Sequence, residues 1–585
     1  MINYITDPQK MTEAVEHLSN KKILAIDTET TGLDPIANKV LLIQIGDKAS
    51  QFVFDVARLG NAVKDLNPLL QNEGIIKVFH NAKFDLEFLR TNLGVTCNNI
   101  RCTMVCDQLL YAGRKVSHSL KNTLNRHLGV TMSKEEQKSF SEMSFGDEFT
   151  REQIEYAGAD VINLIELYMT LEKLIKERDM LELMDLEMDT IHATCDLELN
   201  GIYLDKTRWL ALKDSAQKEA ISAKAELDSH FIDHCEVDMF GSVTVNYNSP
   251  KQLKPLLETI TGYELASTNV QMLKRVKHPV IDALIAYREH TKKLTTYGEE
   301  FLNTHVSPVS GRVHSSFLQL GADSGRYASR NPNMTNIPSD PRYRAAFRVQ
   351  DDNNKMISAD FSGQELRLLA HMSQEPGFLT ALEKGIDLHT NSASLIFNIP
   401  YDDVKKEQRT AAKSLTFGLI YGIGPKKLSE NLDIKYDDAR HLMDKYYRTF
   451  PSIKTLLDEL VVKARQSHVA ISPLDKRQRD LSTFDWYNRR EVAHALNITK
   501  NLPFQGAGAS VTKKALVMLR ESLIKDNLDA KIVNVIHDEI VVESSSTCAD
   551  KVSKCVKDSM IDAFHYFAPS VPMEVNPEIS DCWVH

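Results

Sequence analysis

The chain has 585 residues, 42% of them apolar and 26% charged, without low-complexity tracts or Gly/Ser linkers, which exceeds one hydrophobic core and predicts about three to four structural units of ordinary globular composition. The net charge of −10 runs against a uniformly basic, nucleic-acid-coating protein, so any phosphate contact must come from local clusters rather than from the total. A polar, acidic start and the lack of any apolar run near the roughly 20 residues that cross a bilayer predict no signal peptide and no membrane span, and a cytoplasmic protein with no membrane contact is expected.

In chain order, the first hundred residues alternate apolar runs with turn signals: KILAID (22–27), VLLIQI (40–45), QFVFDV (51–56) and IIKVF (75–79). These read as strands. Helical patterns follow at DLEFLRTNL (85–93) and along a continuous periodic stretch from Arg151 to Lys176, closing an α/β unit near residue 178. Cys97, Cys102 and Cys106 are the one local cysteine cluster; they lack CxxC spacing and read as buried reduced thiols rather than zinc ligands. Residues 180–310 are mostly helical and charged, with breaks near Tyr247–Pro250 and Ser307–Gly311, and suit an elongated helical projection. Beyond 311, the strand-like segments KMISAD (355–360) and KIVNVIHDEIVVE (531–543) bracket a helical block from about 365 to 525. Two basic clusters lie there, Lys405, Lys406, Arg409, Lys413, Lys426 and Lys427, then Lys476, Arg477, Arg479, Arg489 and Arg490. By themselves they read as solvated helix faces.

Two constellations carry chemistry. Asp27 and Glu29 end an apolar strand, where alternation places both on one face. Asn81 and Asp85 lie four apart at the start of a helix, and Tyr156 and Asp160 repeat that spacing on a later one. The carboxylates Asp27, Glu29, Asp85 and Asp160 match what two hard cations require, oxygen ligands with positions open for water and phosphate. Tyr156 is suited to orient an attacking water, and Leu33, just past the first acids, is a candidate wedge between bases. In the second constellation, Asp360 ends KMISAD and Asp538 sits at the bend of VIHDE, two acids that could hold two Mg²⁺, with Mn²⁺ as substitute, against a nucleoside triphosphate and a 3′ hydroxyl. No GxxxxGK[ST] loop is present. Arg409, Lys413, Phe417 and Tyr421 fall at steps of four on one helical stripe, two cations followed by two rings.

DTETTGLDP, HNAKFD and YAGAD, over roughly residues 20–175, resemble the three motifs of the DEDD exonucleases in their tyrosine-bearing branch. SADFSGQELRLLAH (358–371), RTAAKSLTFGLIYG (409–422) and VIHDE (535–539) resemble motifs A, B and C of family A DNA polymerases. ELNGI (198–202), NSPKQL (248–253), SGRYASRNPNMTNIP (324–338), GIDLH (385–389) and NLPFQG (501–506) extend that likeness along the chain in order.

The resemblance implies a multidomain α/β and α+β protein: a ribonuclease H-like 3′-5′ exonuclease domain over 1–178, then a right-hand polymerase domain over 179–585, with thumb at about 179–310, palm at 311–380 and 526–585, and fingers at 381–525. It implies that Asp360 and Asp538 bind catalytic metals with Glu539 assisting, and that His537 supports the primer terminus. Arg409, Lys413 and His389 would hold the triphosphate, with Phe417 and Tyr421 near the sugar and nascent pair. Glu365 stands where the family places its barrier to a ribose 2′ hydroxyl, and Arg326 and Gln505 match donors into the primer-template minor groove. Phe417, where some relatives have Tyr, implies weak use of dideoxynucleotides. The expected partners are primer-template DNA and deoxynucleoside triphosphates, with processivity or replisome proteins left open. Departures are Asn497 where the family often has Arg, with Lys500 nearby to compensate, and SGQE in place of SQIE. With Met1 only 26 residues before Asp27, a 5′ nuclease domain is expected to be absent, and a compact replicative enzyme of a bacteriophage is the expected setting. The alternative reading is a 3′-5′ exonuclease whose polymerase half is silent or partner-dependent.

Overall fold

The computed structural model describes residues 2–132, 140–240, 242–338 and 340–584. Among them no helix is long and apolar enough to cross a membrane. The apolar runs of the first hundred residues become a six-stranded sheet: β1 (Ile2–Ile5), β2 (Ile23–Thr30), β3 (Val40–Gly46), β4 (Gln51–Asp55), β5 (Ile76–Phe79) and β6 (Ile100–Cys102), in the order β1-β4-β3-β2-β5-β6. β2 pairs antiparallel with β3 and parallel with β5, a central position that explains the complete burial of Leu24, Ala25 and Ile26. The short β1 and β6 close the two edges; neither stands out in the sequence, because three or four residues are too few to set a period.

The stretch read as one helix from Arg151 to Lys176 is two, Arg151–Asp160 and Leu164–Glu177. Apolar spacing continues across the gap at Val161, Leu164, Leu167 and Leu171, all buried, so the period hides the break. Cys97, Cys102 and Cys106 are free thiols buried in this core.

The later strands form a four-stranded sheet of β7 (Asn354–Asp360), β8 (Ala530–Ile536), β9 (Glu539–Ser545) and β10 (Glu578–Ser580), in the order β8-β9-β7-β10. β8 and β9 are an antiparallel hairpin in which Ile536 faces Glu539, leaving His537 and Asp538 as its two-residue turn, with His537 at φ +54°. Between β7 and β8 the chain is helical except for a small hairpin, Val469–Ile471 with Gln478–Asp480, that the sequence reading missed. The 37-residue helix Arg489–Lys525 runs through Pro503.

The chain forms two compact units, one of Met1–Asn200, Ser316–Arg330 and Ile357–Ile579, the other of Gly201–Ser315, Asn331–Met356 and Ser580–His585. The first holds all the candidate site residues. The second is built on the helices Lys206–Phe231 and Pro279–Thr296, with one core of Leu227, Phe231, Leu253, Leu257 and Leu284 and an aromatic cluster in which Trp209 meets Tyr297, Phe301, Tyr343 and Phe347.

Candidate functional site

The first acidic centre grows from β2. Alternation puts Asp27 and Glu29 on one face, and the helix Arg151–Asp160 brings Asp160 to them, so that the three carboxylates offer oxygens within 4.8 Å of one another. Asp85 comes from the helix Ala82–Phe88, entered through Asn81 in a left-handed conformation at φ +69°. Its Oδ1 accepts a hydrogen bond from the Thr28 hydroxyl at 2.7 Å, so Asp85 stands against the strand beside the trio. Thr28, the middle residue of the D-T-E run, was not singled out in the sequence. Withdrawal from solvent, then repulsion by Asp85, Asp160 and Glu29, pushes the Asp27 carboxyl well above its usual range. The same two causes raise Glu29, and burial lifts Asp85 to about 7. Tyr156 is also raised, by burial first and then by the surrounding acids, Asp160 foremost. Asp27 and Glu29, raised by burial and by the neighbouring carboxylates, form with Asp85 and Asp160 a hollow of hard oxygen donors, the chemistry that fits a divalent cation. Leu33, in the loop after β2, is 86% exposed.

The second centre lies at the ends of β7 and of the β8–β9 hairpin. Asp360 is the exposed last residue of β7, Asp538 occupies the hairpin turn, and Glu539 is buried at the start of β9. Burial and then the charge of Asp360 raise Asp538 above the ordinary carboxylate range. Burial, then the nearby Arg326, holds His537 below the usual imidazole value. Glu365 is 9% exposed and accepts from Arg326 Nη2 and the Tyr421 hydroxyl, each at 2.5 Å. Tyr421 caps the helix Lys406–Ile420 and stacks on Phe417, one turn earlier, with centroids 6.1 Å apart, and Phe417 meets the His389 ring at 5.7 Å. Lys413 on the same helix is exposed. Arg409 grips Asp387 through two hydrogen bonds of 2.9 Å, and Asp387 also caps the helix Leu388–Phe397 by accepting from Thr390 N. Asp387, the acid of GIDLH, stands just before a helical run, the sequence signal for a cap. Burial pushes His389 down to about 4, so it is neutral near pH 7.

Gln505 is half-buried on the helix Arg489–Lys525. Asn497, on the same helix, packs against Gly422, where a Cβ would lie 2.4 Å from its Oδ1. Arg477, read from sequence as part of a solvated basic cluster, is instead 2% exposed and bonded to Glu187 and Asp475.

Two family patterns match the chain: "DNA polymerase family A" over residues 216–585 and "3′-5′ exonuclease" over 2–176. DNA polymerase I of Aquifex aeolicus (strain VF5) is 30% identical, the match covering 99% of both chains. DNA polymerase I of Chloroflexus aurantiacus is 28% identical over 100% of this chain, which spans 63% of that relative's length. Among solved structures, the POL domain of Pol1 from M. smegmatis, in complex with DNA primer-template and dNTP, superimposes with a TM-score of 0.86 at 23% identity, covering 100% of this chain and 99% of that one, a likeness of fold. With its polymerase pattern covering more than half of its length, and an exonuclease pattern ahead of it, this chain belongs to DNA polymerase family A.

Proposed function

We propose that the chain extends the 3′ end of a DNA primer along a template with deoxynucleoside triphosphates, and removes mispaired ends at a separate 3′-5′ exonuclease site. The observation that carries this reading is the presence, in one family A chain, of two separate acidic centres, Asp27–Glu29–Asp160 with Asp85 and Asp360–Asp538, together with the Arg326–Glu365–Tyr421 contact beside the second. The solved relative bound to primer-template and dNTP supports the same substrates here. Mg²⁺, with Mn²⁺ as substitute, is the proposed ion at both centres, supplying charge neutralisation and a more acidic water or hydroxyl. Residues 1–178 form the exonuclease domain, and 179–585 the polymerase, with thumb, palm and fingers divided near 310, 380 and 525.

At the polymerase site, Lys413, Arg409 and His389 bind the triphosphate, Arg409 exchanging Asp387 for phosphate oxygens. Glu365, held between Arg326 and Tyr421, fills the space a 2′ hydroxyl would need. Arg326 and Gln505 donate to the purine N3 and pyrimidine O2 acceptors common to all correct pairs, and His537 supports the primer end. At the exonuclease site Tyr156 orients water, Leu33 separates the terminal bases, and Asn81 contacts the frayed strand. Discrimination by one active site is finite, and a hydrolytic second site raises accuracy.

The test is an end-labelled primer on a longer template with Mg²⁺. Extension to the template end with four deoxynucleotides, shortening without nucleotides, and neither with EDTA are expected. Shortening without any extension at high nucleotide concentration would reject the polymerase half and leave the exonuclease reading standing.

A further inference from the structure

Four charged side chains that belong to neither acidic centre form a buried, neutral cluster: Glu187 and Lys513 at 0% exposure, Arg477 at 2% and Asp475 at 5%. Lys513 Nζ reaches both Glu187 oxygens at 2.7 and 2.8 Å, and Arg477 Nη2 reaches Oε1 at 2.8 Å. Gln319 Nε2 donates to the other oxygen, and Ser510 joins Arg477 to Asp475. Burying such ions is costly, and removing one partner strands the others. The two cations share a neighbour, the segment Gly325–Tyr327. The Arg477 guanidinium occupies the side-chain space of Gly325, whose Cβ would lie 2.2 Å from Cζ and whose φ is +84°. Lys513 Nζ stands 5.5 Å from the centroid of the Tyr327 ring, and the Tyr327 hydroxyl bonds Thr194 at 2.7 Å. Both chain neighbours of Arg326 therefore rest on the two cations that Glu187 bonds. Arg326 in turn donates to Glu365, which receives Tyr421 on its other oxygen.

We infer that Glu187, acting through Arg477 and Lys513, is a positioning residue for deoxyribose selection: it fixes the backbone on either side of Arg326 so that Arg326 holds the Glu365 carboxylate in the sugar's path. The inference rests on Glu365 being the sugar barrier. A barrier works by position, and a displacement of an ångström or less in its support lowers selectivity.

The test measures kcat/KM for deoxy- and ribonucleotide insertion by the full chain and its Glu187→Gln, Arg477→Lys and Glu365→Ala variants. Shortening of a single-stranded primer serves as an internal control. Glu187→Gln keeps the shape and removes the charge; Arg477→Lys keeps the charge and removes the fork, and decides the matter if Glu187→Gln does not fold. The deoxy-to-ribo ratio is expected to fall by about tenfold in both, with primer shortening at the parent rate. Equal loss with both nucleotides, leaving the ratio intact while thermal stability drops, would reduce Glu187 to a structural role and overturn the inference. An unchanged ratio in Glu365→Ala would overturn the barrier reading and the inference with it; a ratio that falls in Glu365→Ala alone overturns only the inference.

Discussion

Glu365 is buried and Asp27 half-buried, and the two acids differ in how their charge is answered. Glu365 has Arg326 and Tyr421 on its two oxygens; Asp27 has burial and three other carboxyls as its strongest influences. The first is complete within the chain, whereas the second needs a cation. Mg²⁺ is therefore expected to raise the melting temperature, and Asp27→Asn to raise it in EDTA while shrinking the Mg²⁺ increment, since one buried like charge is gone. An unchanged increment in the variant would show that the ion binds elsewhere. The two centres should also separate functionally. Asp27→Ala should cut primer shortening by about 10²–10³-fold or more with extension retained, and Asp538→Ala should do the reverse. A folded variant of either kind that lost both activities would contradict two independent sites.

At the scale of elements, the helix Arg151–Asp160 is short, and the delivery of Tyr156 and Asp160 depends on how its first turn is held. Thr150 and Gln153 form a reciprocal capping box: the Thr150 hydroxyl accepts from Gln153 N at 3.2 Å, and the Gln153 side chain accepts from Thr150 N at 2.9 Å. Thr150→Ala should cost about 1 kcal/mol and lower the exonuclease rate several-fold with extension untouched; an exonuclease rate equal to the parent's would mean the cap does not govern the site. The TREQ pattern that specifies this cap stands in the sequence, and so do the strands carrying Asp27, Asp360 and Asp538, because each acid terminates or interrupts an unmistakable apolar run. The break after Asp160 was not legible. Val161, Leu164 and Leu167 keep the apolar spacing through it, and that spacing outweighs the weak signals of Gly158 and of Asn163, which stands just before the second helix. The hairpin Val469–Ile471 with Gln478–Asp480 escaped notice for the opposite reason, having only three residues per strand.

Across the first compact unit, the helix Leu181–Asn200 joins regions far apart in sequence. Its polar residues that pair inward were invisible as such in the sequence, because their partners lie more than a hundred positions away: buried Glu187 on Lys513, and half-buried Asp196 on Arg90 at 2.8 Å and Arg520 at 2.6 Å, and Asn200 on the Ile532 carbonyl at 2.9 Å. Periodicity reports that a face is buried, and only the tertiary partner decides whether an acid can be buried with it. His192 belongs to the same seam. Arg90 Nη2 donates to its Nδ1 at 2.7 Å, and burial, followed by the charges of Arg90 and Arg520, pushes it down to about 3. The unfolded chain protonates this ring near 6.5, so above that pH both states are neutral and His192 costs nothing. As pH falls below 6.5 the unfolded state takes up a proton that the folded state refuses, and stability declines progressively towards pH 3, by about 1–2 kcal/mol at pH 5. His192→Gln keeps an acceptor for Arg90 and removes the titration. Its melting temperature should fall less steeply between pH 7 and pH 5 than that of the parent chain, and parallel slopes would show that protonation of His192 does not limit acid stability at this seam.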